Sequence, residues 1–236
     1  MDLAGRPVIL RVLERVDAAQ TVDQAVVATT TNAADHPLES AVKKAGWTCV
    51  RGSEADVLDR YRVAADSASA DVIVRVTGDC PLHDPRVIDE VVGHFRSQGV
   101  DYASNVHPPS FPDGLDVEVF TRDALERAWK EARRPSEREH VTPYIWSHRE
   151  AFRHANVSHM PDLSGHRWTL DTPNDLAFVR AVYDALHKEG KIFGMEDVLA
   201  LLRRRPELSA LNRDATRNEG YAKSLREDEA RKRPGG

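Results

Sequence analysis

Short apolar runs alternate with amphipathic stretches through the first hundred residues. Apolar and β-branched residues dominate 24–30, 47–51 and 71–77, the length and composition of buried strands. Apolar positions recur at helical spacing over 36–45, 54–69 and 85–98. Asp84 is placed to cap the last of these, and Pro85 is tolerated in its first turn. This rhythm predicts an α/β fold, a mostly parallel sheet with helices on both faces. Beyond residue 100 the pattern changes. Strands are expected at 101–104 and 115–120, separated by a loop from His107 to Gly114. A helix over 121–134 starts at Thr121 and carries Leu125, Ala128 and Trp129 on one face. Strands at 152–158 and 166–170 precede a helix over 173–188, capped by Thr172, and another over 195–205 that stops at Pro206. The remainder is charged and weakly patterned, with a frayed tail expected from Glu227 to Gly236.

The 236 residues are enough to bury a sizeable core. A net charge of −5 gives no general signal for nucleic acid or membrane surfaces. Two cysteines, Cys49 and Cys80, make no disulfide framework, which points to a reducing cytoplasm. No apolar run approaches membrane-spanning length, and the opening residues lack the pattern of a secretory signal.

The chemistry concentrates where apolar runs end. Val72 to Val76 leads into Thr77-Gly78-Asp79-Cys80-Pro81, where Gly78 is expected to permit a tight turn and Pro81 to stop the strand. Asp79 then stands at a strand's C-terminal end, the ligand side of open α/β sheets, and suits a Mg²⁺–phosphate site. The plainer reading makes it a turn cap. A second carboxylate, Asp171, ends the run Trp168-Thr169-Leu170 just before a helix. Alone it reads as capping; with Asp79 it suits a metal flanked by two carboxylates beside a triphosphate. Asp116 and Glu118 are two apart, so on a strand they share a face and can accept bonds from sugar hydroxyls, although a solvated face is commoner. Arg138 can fork onto a carboxylate and His140 can touch substrate, against the alternative of a charged helix start. Arg51 and Ser53, around Gly52, open the helix expected at 54 and offer backbone N–H groups to a base or ribose; taken alone, an ordinary serine cap with acidic first-turn residues is the favoured reading. Cys80 is a poor nucleophile, since the adjacent carboxylate raises its pKa. The ten histidines show no zinc spacing.

Taken in order, these segments resemble the cytidylyltransferases of the spore-coat polysaccharide type, relatives of the acylneuraminate and 3-deoxy-manno-octulosonate enzymes. The resemblance runs through Val26–Thr30, Arg51–Glu54, Asp56–Tyr61, Val74–Leu82, Phe111–Val119, Glu137–Ile145, Leu170–Pro173 with Asp175-Leu176, and Asn218–Tyr221. It implies a Rossmann-like nucleotidyltransferase domain over 1–205, with an inserted dimerisation lobe at about 105–165 and a charged C-terminal extension over 206–236. The implied reaction moves CMP from CTP to an acidic sugar and releases pyrophosphate, in polysaccharide or glycan synthesis by a cytoplasmic homodimer. Mg²⁺ would be held by Asp79 and Asp171, the catalytic pair. Asp116, Glu118, Arg138 and His140 would contact the sugar, and Arg51, Ser53, Thr77 and Gly78 the nucleotide.

One departure stands out. Chains of this family open with a strand and a basic, glycine-containing loop that wraps the triphosphate. Here Asp2-Leu3-Ala4-Gly5-Arg6-Pro7 resembles the segment just after that loop. The N-terminal strand and phosphate loop are therefore expected to be missing, and this chain is expected to turn over CTP weakly or not at all. A late-assigned start is the preferred account, because the metal-site residues stand. A non-catalytic nucleotide-binding relative and a nucleotide-sugar glycosyltransferase are the alternative functions.

Overall fold

The computed structural model describes residues 1–212, 217 and 219–232. A small antiparallel hairpin, β1 (Asp2–Leu3) and β2 (Arg6–Pro7), leads into α1 (Val8–Asp17). Then follow β3 (Val26–Thr30), α2 (His36–Lys44), β4 (Thr48–Gly52), α3 (Val57–Ser67), β5 (Val72–Arg75), α4 (Pro85–Gln98), β6 (Tyr102–Ser104) and β7 (Glu118–Thr121). The second half holds α5 (Arg122–Glu131), α6 (Pro135–His140), α7 (Pro143–Ser147), β8 (His154–Asn156), α8 (Pro173–Leu186), α9 (Met195–Arg204) and α10 (Glu219–Lys232).

Most expected elements are present, trimmed at their ends. Asp84, Thr121 and Thr172 cap α4, α5 and α8, each side chain accepting from a backbone N–H of the first turn. Three elements differ from expectation. α3 begins at Val57 because Asp56, accepting from the N–H of Asp59, caps it; Ser53 instead accepts from the N–H of Asp56. Residues 166–170 form no strand beyond one bridge, Asp113 to Arg167. Of the expected frayed tail, Glu227 to Lys232 is helical, because α10 is tied to α6: Ser136 donates to Asp228 at 2.5 Å, and Ser224 donates to Glu139 at 2.8 Å; residues 233–236 lie outside the described residues.

The sheet is mixed rather than mostly parallel. β3 pairs with β4 in parallel, and a separate four-stranded sheet has the order β5-β7-β6-β8. In it β7 runs antiparallel to both neighbours, while β6 and β8 are parallel. Helices cover both faces, and the alternation along β6 and β7 shows how. Tyr102 and Phe120, directly paired, point into a cluster with Leu58, Leu125 and Ile145 from α3, α5 and α7. Ala103 and Val119, the next pair, point into the larger core with Ile88, Val91, Phe95, Phe178 and Val182 from α4 and α8.

Among the described residues, no strand pairing joins β3 to β5. Each therefore has a hydrogen-bonded neighbour on one side only. The run at 72–76, expected to be fully buried, is buried only at Ile73; Val72, Val74 and Val76 are half-buried. No helix among the described residues is long and apolar enough to cross a membrane.

Candidate active site

The Asp79 turn follows β5 directly. The φ of Gly78 is not in the left-handed region, and a Cβ on it would meet the flexible end of Ile9, Cδ1 at 3.2 Å, so the expectation that another residue would strain this turn is corrected. Thr77 Oγ1 and Cys80 Sγ lie 3.1 Å apart, and the Cys80 thiol donates to Asp79 Oδ1 at 3.4 Å. Burial, then the charge of Asp79, pushes the Cys80 thiol well up, so it stays protonated and inert.

The 166–171 segment runs alongside. The Leu170 N–H donates to the Asp79 carbonyl at 2.9 Å, which sets the Asp79 and Asp171 turns side by side. The same segment grips the Asp113 turn on its other side. The Asp113 N–H donates to the His166 carbonyl at 2.9 Å, and the Trp168 N–H donates to the Asp113 carbonyl at 2.6 Å. Gly114 makes this approach possible. Its φ is +103°, and a Cβ there would stand 2.7 Å from the Trp168 carbonyl carbon.

Arg167 organises the carboxylates. It donates to Asp171 at 2.6 Å, to Asp175 at 3.0 and 3.1 Å, and to Asp113 at 3.3 Å. Asp175 is fully buried. Burial pushes its carboxyl up, but bonds from Arg167, Asn212 Nδ2, the Asp171 N–H and Thr172 outweigh that and hold it down at about 2. Burial pushes Asp113 up, against Arg217 and Arg167. The Asp171 side chain is 51 % exposed and open to a ligand, and Asp79 is partly exposed.

Asp116 and Glu118 do not share a strand face, because β7 begins only at Glu118. Glu118 is buried and engaged: Arg75 donates to it at 2.5 Å, and Tyr102 and Thr142 each at 2.6 Å. Asp116 precedes the strand and pairs with Arg217. Burial pushes its carboxyl up to about 7, with Asp113 and Glu118 adding and Arg217 and Arg75 opposing.

Arg138 and His140 sit on α6. Arg138 donates to Asp56 at 2.5 and 3.1 Å and to the Trp129 carbonyl at 2.7 Å, so its fork is already filled. His140 Nε2 is 3.0 Å from Ser224 Oγ and meets the Tyr221 ring edge-on; burial lowers its pKa. Arg51 donates to the Thr30 and Asn32 carbonyls and to Glu39. Among the described residues, no hydrogen bond or ion pair links Arg51 or Ser53 to the Asp79 cluster.

The structure thus gathers Thr77, Gly78, Asp79 and Asp171, adds Asp113 and Arg167, and places Asp116 nearby with Arg217. Arg167, Asp113 and Arg217 are absent from the residues singled out by sequence. Arg167, four before Asp171, carries a weak signal in an acidic neighbourhood; Arg217 carries none. Among the described residues, no group of three or more His, Cys, Asp or Glu could hold a metal alone. Two hard carboxylates nonetheless fit an ion that completes its shell with substrate oxygens.

The chain matches the family model for cytidylyltransferases over residues 1–198. It is 31% identical to the spore coat polysaccharide biosynthesis protein SpsF of Bacillus subtilis over 82% of this chain and 80% of that protein. A shorter stretch, 37% of this chain and 34% of the relative, is 37% identical to a 3-deoxy-manno-octulosonate cytidylyltransferase of Pelobacter propionicus. The solved structure of a cytidylyltransferase from Leptospira borgpetersenii superposes with a TM-score of 0.84 at 31% identity, covering 92% of this chain and 90% of that one. Sequence and fold agree: the chain belongs to the cytidylyltransferase family and has its α/β nucleotidyltransferase fold.

Proposed function

We propose that this protein transfers CMP from CTP to a hydroxyl of an acidic sugar, for assembly of a surface polysaccharide or glycan. The observation that carries the reading is the Leu170–Asp79 backbone bond, which brings two partly exposed carboxylate turns together at the ends of their segments. Asp79 and Asp171 would hold Mg²⁺, which would supply charge neutralisation for the triphosphate. In the transfer, the sugar oxygen bonds to the α-phosphorus and the bond to the bridging β-phosphate oxygen breaks. Pyrophosphate leaves with that electron pair, and the hydroxyl proton passes to solvent. Asp116, partly exposed beside this cluster, accepts a sugar hydroxyl bond. Thr77 and Gly78 border the phosphates, with Arg51 and Ser53 as outlying candidates for the nucleoside. Most of the acceleration then comes from positioning and charge neutralisation.

A second reading, a protein that binds nucleotide without turnover, is favoured by one contact. Arg167 already donates to the Asp171 carboxylate that a metal would need.

Pyrophosphate release from CTP and Mg²⁺, with a panel of acidic sugars and the full gene product, separates the two. Release that requires one sugar supports transfer. Calorimetric binding of CTP with no release from any sugar supports the binding-only reading.

A further inference from the structure

Arg217 lies shortly before α10, a helix anchored on α6 through Ser136–Asp228 and Ser224–Glu139. From there its guanidinium reaches into the acidic segment between residues 111 and 118. Nη1 donates to the Phe111 carbonyl at 3.2 Å, Nη2 donates to Asp116 Oδ1, and Nε stands 3.8 Å from Asp113 Oδ1. The Arg217 side chain is only 16 % exposed.

Three carboxylates crowd this segment, with three arginines among them and Asp113 shared between Arg167 and Arg217. Arg75 serves Glu118 and Arg167 serves Asp113. Among the described residues, Arg217 is the ion-pair partner of Asp116. The groups facing Asp116 are Arg217 and Arg75 on the positive side, Asp113 and Glu118 on the negative side, and the neutral thiol of Cys80. Removing Arg217 would leave Asp116, partly buried and already pushed up to about 7, beside two like charges, a setting in which a carboxylate takes up a proton more readily still. A protonated Asp116 is no longer an acceptor on both oxygens, and nothing would fix its rotamer.

We propose that Arg217 is a positioning residue for the acceptor: it orients Asp116 and favours its carboxylate form as an acceptor for a hydroxyl of the incoming sugar. The inference rests on the CMP-transfer reading. It also gives the C-terminal helix a part in catalysis, because α10, anchored on α6, begins two residues after Arg217.

The test compares R217M, R217K and D116N with wild type. R217M is expected to raise the acceptor KM by about tenfold or more, the worth of a hydrogen bond to a charged group. The CTP KM should hold within about twofold. The acceptor penalty should be larger near pH 6 than near pH 9, because R217M pushes the Asp116 carboxyl above its wild-type value and the lost carboxylate fraction is recovered only at high pH. R217K should recover most of the loss. D116N should show a pH-independent acceptor defect, and R217M added to D116N should cost little more. An R217M defect equal for CTP and acceptor, or one as large on the D116N background as on wild type, overturns the proposal. So does an unchanged acceptor KM. A readout free of turnover separates this from the transfer reading: carbon-13 NMR of the Asp116 carboxyl should show its pKa rising in R217M. If wild type releases no pyrophosphate with any sugar, the transfer reading fails. If the Asp116 pKa does not rise, the coupling fails.

Discussion

The backbone N–H of Leu170 donates to the carbonyl of Asp79 at 2.9 Å, joining two turns far apart in the chain. The bond uses no side chain, so it does not occupy the carboxylates: Asp79 is partly exposed, and Asp171 is half exposed with Arg167 on one oxygen. Removing either charge should leave the fold in place. D79N and D171N are expected to cut pyrophosphate release by about 100-fold or more, as loss of a metal-holding charge does. The D79N melting temperature should stay within about 2 °C of wild type, as exposed substitutions do, and D171N, which weakens one of the Arg167 pairs, should fall by a few degrees at most. Near-normal turnover by D79N in the steady-state assay would remove it from the site.

Asp79 and Asp171 stand out in the sequence as candidates because each directly follows an apolar run, and that pattern is local. What joins them is not local. The grip of 166–171 on both the Asp79 and Asp113 turns is made of backbone bonds, which leave no mark on residue type. α1 was missed for a different reason. Val8, Val12, Leu13 and Val16 keep helical spacing, but Arg11 and Arg15 interrupt the stripe and are themselves buried. Their guanidiniums are spent on the carbonyls of Leu3, Ala4, His83 and Phe193. Similarly, Glu118 looked free for sugar because sequence cannot reveal Arg75, Tyr102 and Thr142 converging on it.

Gly114 tests how tightly the Asp113 turn is held. G114A puts a methyl group within 3 Å of three backbone atoms of Trp168 and Thr169, at a φ of +103°. The conformation alone costs about 1–2 kcal/mol, and backbone overlap cannot relax as a side chain would. A total destabilisation of about 3 kcal/mol or more is expected in urea unfolding. An unchanged urea midpoint would show that the 166–171 segment is free to move away.

Asp175 governs the acid limb of stability. Its carboxyl is held at about 2, against an ordinary value of 3.8. The folded state therefore releases this proton more readily than the unfolded chain. The resulting stabilisation, about 2 kcal/mol, is complete above pH about 4 and disappears as pH falls toward 2. D175N should be less stable than wild type at neutral pH. Urea midpoints measured between pH 6 and about 2.5 should show the gap narrowing with acid. A constant gap would mean that Asp175 acts through capping geometry alone.

His83 has the opposite kind of problem. It is fully buried, and neither ring nitrogen has a hydrogen-bond partner among the described residues. Burial, then the charge of Arg15, lowers its pKa to about 4, with Asp79 opposing. Between pH about 6.5 and 4 the unfolded imidazole takes a proton that the folded one refuses. Stability thus falls by about 1.4 kcal/mol per pH unit through that window and levels off below it. The carbonyl of His83, which accepts from Arg15 at 2.9 Å, is backbone and survives substitution. H83L replaces two unpaired polar atoms with a side chain of similar size, and should stabilise the protein by about 1–2 kcal/mol at neutral pH. Its advantage should widen toward pH about 4.5, as wild type loses stability and the variant does not. Thermal unfolding of the pair at pH 8, 6 and 4.5 reads both effects. A variant that is less stable than wild type throughout would mean that the imidazole has a partner, such as a bound water, that offsets its burial.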